Sequence, residues 1–229
     1  MTHDGRAHTA RPSSFLPDPM PARSLAGPIL PTAFYARDTE DVARDLLGKV
    51  LECATPDGTA SGIIVETEAY IGEHDAACHA AVGRTARTAP LYGPPGLAYV
   101  YFIYGMYWCF NAVTRAEGEP SAVLVRALEP LQGVPLMRRR RPRVRHDRDL
   151  TNGPGKLCLA LGIDGALNGV SLRRAPLVIR DYRSYDDDAV ARTPRIGIVK
   201  AADWPLRWIV RDNPYLSKTP PHFPHLPAR

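Results

Sequence analysis

The sequence predicts an α+β fold: an antiparallel or mixed sheet with a few helices. Three observations lead there. Most periodic segments read as strands, and short turns rather than helical crossovers join them, which disfavours a doubly wound parallel sheet. Only two segments carry clear helix start and stop signals. The 229 residues, 45% hydrophobic and 23% charged, suffice for one well-buried core or at most two small ones.

Residues 1–28 lack periodicity and are rich in Pro, Ser, Ala and Arg, the composition of a disordered tail. The ordered domain then covers 29–212. Asp38 starts a helix, with Asp41 three residues on, an apolar stripe of Val42, Leu46 and Leu47, and Gly48 as the stop. Lys49–Cys53 and Ser61–Ile71 are strands of a hairpin that turns at Pro56-Asp57-Gly58. A loop bearing Gly and Pro spans 72–96. Leu97–Tyr104 and Tyr107–Thr114 are two more strands around Gly105, and Ser121–Leu128 is another. Gly153-Pro154-Gly155 opens a helix that runs through Leu161. Val170–Arg180, Arg195–Lys200 and Leu206–Val210 complete the strands. Five prolines between 213 and 229 mark an irregular, Pro-rich C-terminal tail.

Several classes are disfavoured at once. No apolar run approaches the ~18 residues of a membrane span, and the N-terminus lacks a secretory h-region. The four cysteines, at 53, 78, 109 and 158, show no metal-ligand spacing, so a zinc module is not expected. Their low density fits reduced thiols in an intracellular protein, in the cytoplasm or nucleoid of a bacterium or the nucleus of a eukaryote.

The net charge is +5, and of the 29 cations 25 are Arg and 4 are Lys. A GC-rich coding sequence explains that bias; so does phosphate recognition, for which the guanidinium fork is well shaped. Seven of the arginines crowd into Arg138–Arg148. That run reads equally as a solvated loop or charged helix end and as a basic loop following nucleic-acid phosphates.

Candidate chemistry lies in four segments. In Ser61–Ile71 the strand alternation puts Val65, Thr67, Ala69 and Ile71 on one face and Glu66, Glu68 and Tyr70 on the other, neighbours about 7 Å apart. Pattern alone favours an ordinary strand with a wet acidic face. The alternative is a carboxylate at the floor of a cleft beside an aromatic wall, acting as general base or stabilising a cationic transition state. The alternation does not choose between the glutamates. Tyr92–Tyr107 holds five of the ten tyrosines. They complete a buried hairpin, or form stacking walls for planar bases, with Tyr104 or Met106 at a tip that can wedge into a minor groove. Arg126 is the one charge in an apolar strand; it either reaches water at an edge or pairs with Glu66 or Glu68. Asn152-Gly153-Pro154-Gly155-Lys156 is a routine turn and cap, or a helix N-terminus that holds a phosphate with Lys156. His79, alone in a loop, reads as solvated or structural.

Taken together, V-E-T-E-A-Y (65–70), D-A-A-C-H (75–79), Y-V-Y-F-I-Y-G-M-Y-W-C-F-N (99–111), L-V-R-A-L-E-P (124–130) and N-G-P-G-K-L-C (152–158) resemble, in order and spacing, the methylpurine (3-methyladenine or alkyladenine) DNA glycosylase family. The resemblance covers roughly residues 29–212. It implies a single α+β domain with a curved, mostly antiparallel sheet, flanking helices and a protruding hairpin that enters DNA. It puts the water-activating carboxylate on Glu68 with Arg126 nearby, base-stacking groups on Tyr70, His79 and Tyr101, a pocket-floor amide on Asn111, and the intercalating wedge on Tyr104. The implied partner is double-stranded DNA with alkylated or deaminated purines, acted on by a monomer that needs no cofactor and no membrane. With no lysine in the pocket segments, the implied enzyme is a monofunctional hydrolase. Two other classes remain open: a non-catalytic nucleic-acid-binding module, and an enzyme of free nucleosides or nucleotides.

Overall fold

The computed structural model describes residues 27–217, so nearly all of the N-terminal tail and the end of the C-terminal tail read from the sequence lie outside the described residues. The described chain contains helices α1 (Thr32–Tyr35) and α2 (Thr39–Asp45), then strands β1 (Val50–Thr55), β2 (Gly58–Ile71), β3 (Ala98–Ile103), β4 (Tyr107–Val113) and β5 (Ser121–Gln132). Helices α3 (Val134–Arg140) and α4 (Pro154–Leu161) follow, then β6 (Arg173–Arg174), β7 (Leu177–Arg180), β8 (Val190–Thr193) and β9 (Arg207–Val210). The strands form a single curled sheet in the order β3-β4-β5-β2-β1-β7-β6, with β9 joining β2 and β8 joining β9. Every pairing is antiparallel. The predicted fold class is therefore the observed one.

Local chemistry explains the elements. Asp38 caps α2 by accepting the Glu40 backbone N–H at 2.9 Å. Gly48 ends the segment at φ +85, where a Cβ would lie 2.6 Å from the Arg183 carbonyl oxygen. At 7 residues α2 is too short to hold its shape alone, and burial of Val42 and Ala43 against the sheet supplies what propensity does not. The β1–β2 hairpin turns over Pro56 and Asp57, with Thr55 opposite Gly58.

β2 is the spine. One edge pairs with β5 along most of its length; the other pairs first with β1 and then, from Glu66 to Glu68, with β9. Its middle therefore has no free edge. Register shifts with β5 fall at Ile64/Glu66 and Glu66/Thr67, so Val65 on β2 and Arg126 on β5 are each the extra residue of a bulge. Ile64 and Val65 both enter the main core, and Thr67 donates to the Ala43 carbonyl of α2 at 2.7 Å. On the other face a smaller cluster of Cys78, Ala80, Leu91, Tyr99, Val113 and Ala122 packs against Tyr70 and Tyr101.

Two predicted strands need correction. Arg195–Lys200 is not extended: Arg195 is drawn inward to Asp75, and Gly197 and Ala201 take φ +77 and +44. Val170–Arg180 divides into β6 and β7, reversing at Pro176, which has no N–H for a ladder. α1, α3 and β8 are elements the sequence reading did not anticipate.

Candidate active site

The loop after β2 folds back over the sheet through two short 3-10 turns, His79–Val82 and Ala89–Tyr92. Beneath it lies a cleft lined by Tyr70, His79, Tyr99, Tyr101, Asn111 and Ile198, among others. This lining of rings with a few polar groups suits a small planar ligand. His79 Nδ1 shares a hydrogen bond with the Tyr99 hydroxyl (2.8 Å), and its ring stands edge-on to Tyr101 with centroids 4.4 Å apart. The loop histidine is thus neither solvated nor isolated. Burial, and then the neighbouring Arg87, hold its pKa below the ordinary 6.5, so the ring is neutral at pH 7. Burial raises the Tyr101 phenol well above its usual range, and burial with the adjacent Glu68 does the same for Tyr70. Both therefore remain protonated donors. Asn111, paired across to Tyr99 on β3, gives its amide Nδ2 to the Tyr99 carbonyl at 3.1 Å.

Behind Tyr70 sit the two glutamates, and here the wet acidic face expected from pattern is corrected. Glu66 and Glu68 are both 0% exposed, because β5, β9 and two later segments enclose them. Arg126, on its bulge, spans the pair: Nε donates to Glu66 Oε1 and Nη1 to Glu68 Oε2, both at 3.1 Å. Burial works against the Arg126 charge, but Glu68 and Glu66 outweigh it and hold the guanidinium above its ordinary range.

The carboxylates differ in how full they are. Glu66 accepts from Arg126, from Arg207 Nε (2.7 Å), and from Ser217 through both backbone N–H (2.7 Å) and hydroxyl (2.8 Å). Three of these four donors converge on Oε1, and the Ser217 N–H reaches Oε2. Glu68 accepts three: Tyr70 Oη (2.8 Å), Arg126, and the Ile196 backbone N–H (2.9 Å). Glu68 takes one donor fewer and stands one hydrogen bond behind the cleft wall, through Tyr70.

At the far end of β3 and β4, Tyr104, Gly105 and Met106 form a tip where Tyr104 is 76% exposed and takes φ +54. Phe102, Met106 and Tyr107 around it are also exposed. Large apolar side chains held in water at one tip mark a contact surface. The hairpin is seated on its inner side: a Cβ on Gly155 would lie 2.9 Å from Tyr107, and one on Gly165 only 2.5 Å from Trp108. Lys156, in the first turn of α4, donates to Asn152 Oδ1 at 2.7 Å and lies by the hairpin seat rather than in the cleft.

The profile of one family, methylpurine-DNA glycosylase, matches residues 33–214. The chain belongs to the methylpurine-DNA glycosylase family. Similar proteins carry the provisional name 3-methyladenine DNA glycosylase. One from Myxococcus xanthus is 49% identical over 202 residues, covering 87% of this chain and 98% of its own. One from Methanocella arvoryzae is 46% identical over 198 residues, covering 85% and 98%. One from Burkholderia lata is 49% identical over 199 residues, covering 86% and 95%.

In this methylpurine-DNA glycosylase the fold brings Glu68, Arg126, Tyr70, His79, Tyr101 and Asn111 together, and leaves Tyr104 and Lys156 outside the cleft. The sequence reading missed the groups that hold them. Asp75 and Arg195 form a fully buried ion pair, Arg207 donates to Glu66, and Ile196 offers its N–H to Glu68. Arg207 gave the same signal as Arg126, a single cation in an apolar strand, and Asp75 stood inside the quoted D-A-A-C-H segment. The contacts of Ser217 with Glu66 carried no such signal.

Proposed function

We propose that this methylpurine-DNA glycosylase turns an alkylated purine out of duplex DNA and hydrolyses its N-glycosidic bond with a water activated by Glu68. The observation that carries the reading is the Glu68 carboxylate: fully buried, held by Tyr70, Arg126 and the Ile196 N–H, and one hydrogen bond behind the Tyr70 wall of a ring-lined cleft.

A base must leave the stack before its glycosidic bond is accessible, at a cost of a few kcal/mol that is smaller for a damaged pair. Tyr104, at the exposed tip, has the size and place to fill the vacated space. A purine alkylated at N3 or N7 is cationic, so it stacks strongly on the electron-rich faces of Tyr70 and Tyr101 and departs without a strong acid. Asn111 on the cleft floor disfavours ordinary guanine through its exocyclic amine. Glu68 takes a proton from water and stabilises the positive charge that develops on the sugar. Arg126 orients that carboxylate. Among the described residues no lysine lines the cleft, which fits hydrolysis without a Schiff base. Lys156 and part of the arginine run serve the phosphates. One subunit carries every group named, which fits a monomer.

The experiment is release of free base, with abasic sites accumulating over time, from a duplex carrying one alkylated purine. A binding module retains that duplex and releases nothing. An enzyme of free nucleosides acts on the modified nucleoside as fast as on the duplex.

A further inference from the structure

We propose that the buried Asp75–Arg195 ion pair is the positioning device of the active site, holding the Tyr70 ring, the His79 loop and the Ile196 N–H in one register. The inference rests on the reaction proposed above, and it gives a role to two residues that touch neither substrate nor water.

The pair joins the end of β2 and the loop that follows it to the distant 195–201 segment. Arg195 Nη1 donates to Asp75 Oδ2 (2.5 Å) and to the Ala69 carbonyl (3.0 Å); Nη2 donates to Asp75 Oδ1 (2.8 Å) and to the Ala201 carbonyl (3.3 Å). Asp75 in turn accepts the Ile71 N–H (3.1 Å) and the Ala77 N–H (3.0 Å). Both side chains are 0% exposed. The bidentate geometry fixes the guanidinium plane as well as its position, which an ammonium cannot do.

Each segment delivers one part of the site. On β2, Ala69 and Ile71 flank Tyr70, and the Arg195 guanidinium carbon lies 4.7 Å over the Tyr70 ring centre. The ring is thereby backed by a cation while its hydroxyl is pinned to Glu68. On the loop, Asp75 is four residues before His79, and its carbonyl accepts the Cys78 N–H that starts the turn carrying that histidine. On the third segment, Arg195 is followed directly by Ile196, whose N–H binds Glu68 Oε1. One ion pair thus sets the cleft's walls and an anchor of its carboxylate. A displacement of about 1 Å in such groups is enough to slow a reaction roughly 10²-fold.

The test is a double-mutant cycle on single-turnover base release per active enzyme, read well below the thermal midpoint. Arg195→Lys keeps the charge and loses the planar fork; Tyr70→Phe keeps the ring and loses the bond to Glu68. Arg195→Lys is expected to slow release about 10²-fold, with binding to undamaged duplex within twofold of wild type. In the Tyr70→Phe background the same change is expected to slow release less than about 10-fold, because both act through one geometry. Asp75→Asn, run in the same cycle, is expected to match Arg195→Lys, and it carries the test if the lysine variant does not fold. Independent, multiplying effects overturn the proposal, as does wild-type release from either single variant of the pair. If neither folds, the pair is a folding element only, and the positioning role is rejected. Glu68→Gln is assayed alongside: wild-type release from it rejects Glu68 as the base, while the Arg195–Tyr70 coupling still reports on the pair.

Discussion

Glu66 and Glu68 are two residues apart on one strand, equally buried and sharing one arginine, yet their surroundings differ. Glu66 takes four donors, two of them from Ser217 near the end of the described chain. On the proposed reading it is a structural anion that lets Arg126 and Arg207 be buried. Replacing it by Gln removes one of the charges facing the two guanidiniums, and breaking a buried ion pair costs on the order of 3 kcal/mol. Glu66→Gln is therefore expected to lower the thermal midpoint by several degrees, read by calorimetry. A variant that melts like wild type but releases no base would exchange the roles of the two glutamates. This distinction was invisible in the sequence. Alternation placed both carboxylates on one face correctly, and the lone Arg126 pointed to a partner there. The donors that separate them come from residues 196, 207 and 217, more than 120 positions away.

The elements that periodicity and caps define were the legible ones: the Asp38-capped helix, the β1–β2 hairpin, the strands meeting at Gly105, and the helix after Gly153. Where a tertiary contact overrides local pattern, reading failed. Arg195–Lys200 has strand-like composition, but its first side chain is claimed by Asp75 and it turns instead. α3 was missed although Gly133 and Pro135 mark its start and Val134 and Met137 share a face. Among these elements the β3–β4 hairpin carries a prediction of its own. Its tip exposes Tyr104 while its inner side rests on Gly155 and Gly165. A wedge of the kind proposed for Tyr104 would act only on duplex substrate. Tyr104→Ala is expected to weaken binding to a damaged duplex at least tenfold and to leave binding of the free modified nucleoside unchanged. Equal effects on both would count against intercalation.

At the scale of the whole molecule, the mildly basic charge is distributed between structure and surface. Within the arginine run, Arg138 pairs with Asp147, Arg140 donates to Thr55 and the Ala160 carbonyl, and Arg141 donates to the Asp149 and Leu150 carbonyls. Arg139, Arg143, Arg145 and Arg148 remain exposed. The run is thus a charged helix end with a solvent-facing basic side. Duplex affinity is expected to fall about 10³-fold between 50 and 200 mM salt, the response of a protein that covers several phosphates. A flat salt dependence in a filter-binding or anisotropy titration would argue for a nucleoside enzyme. The curled sheet brings this surface, the hairpin and the cleft into one molecule, and the chemistry converges on a single buried carboxylate. The most direct measurement is single-turnover release of a purine from a duplex with one alkylated base, wild type and Glu68→Gln side by side, with binding measured on the same duplex. Loss of a general base predicts release slowed by 10²- to 10⁴-fold with damaged-duplex affinity retained. Release at the wild-type rate would contradict the account.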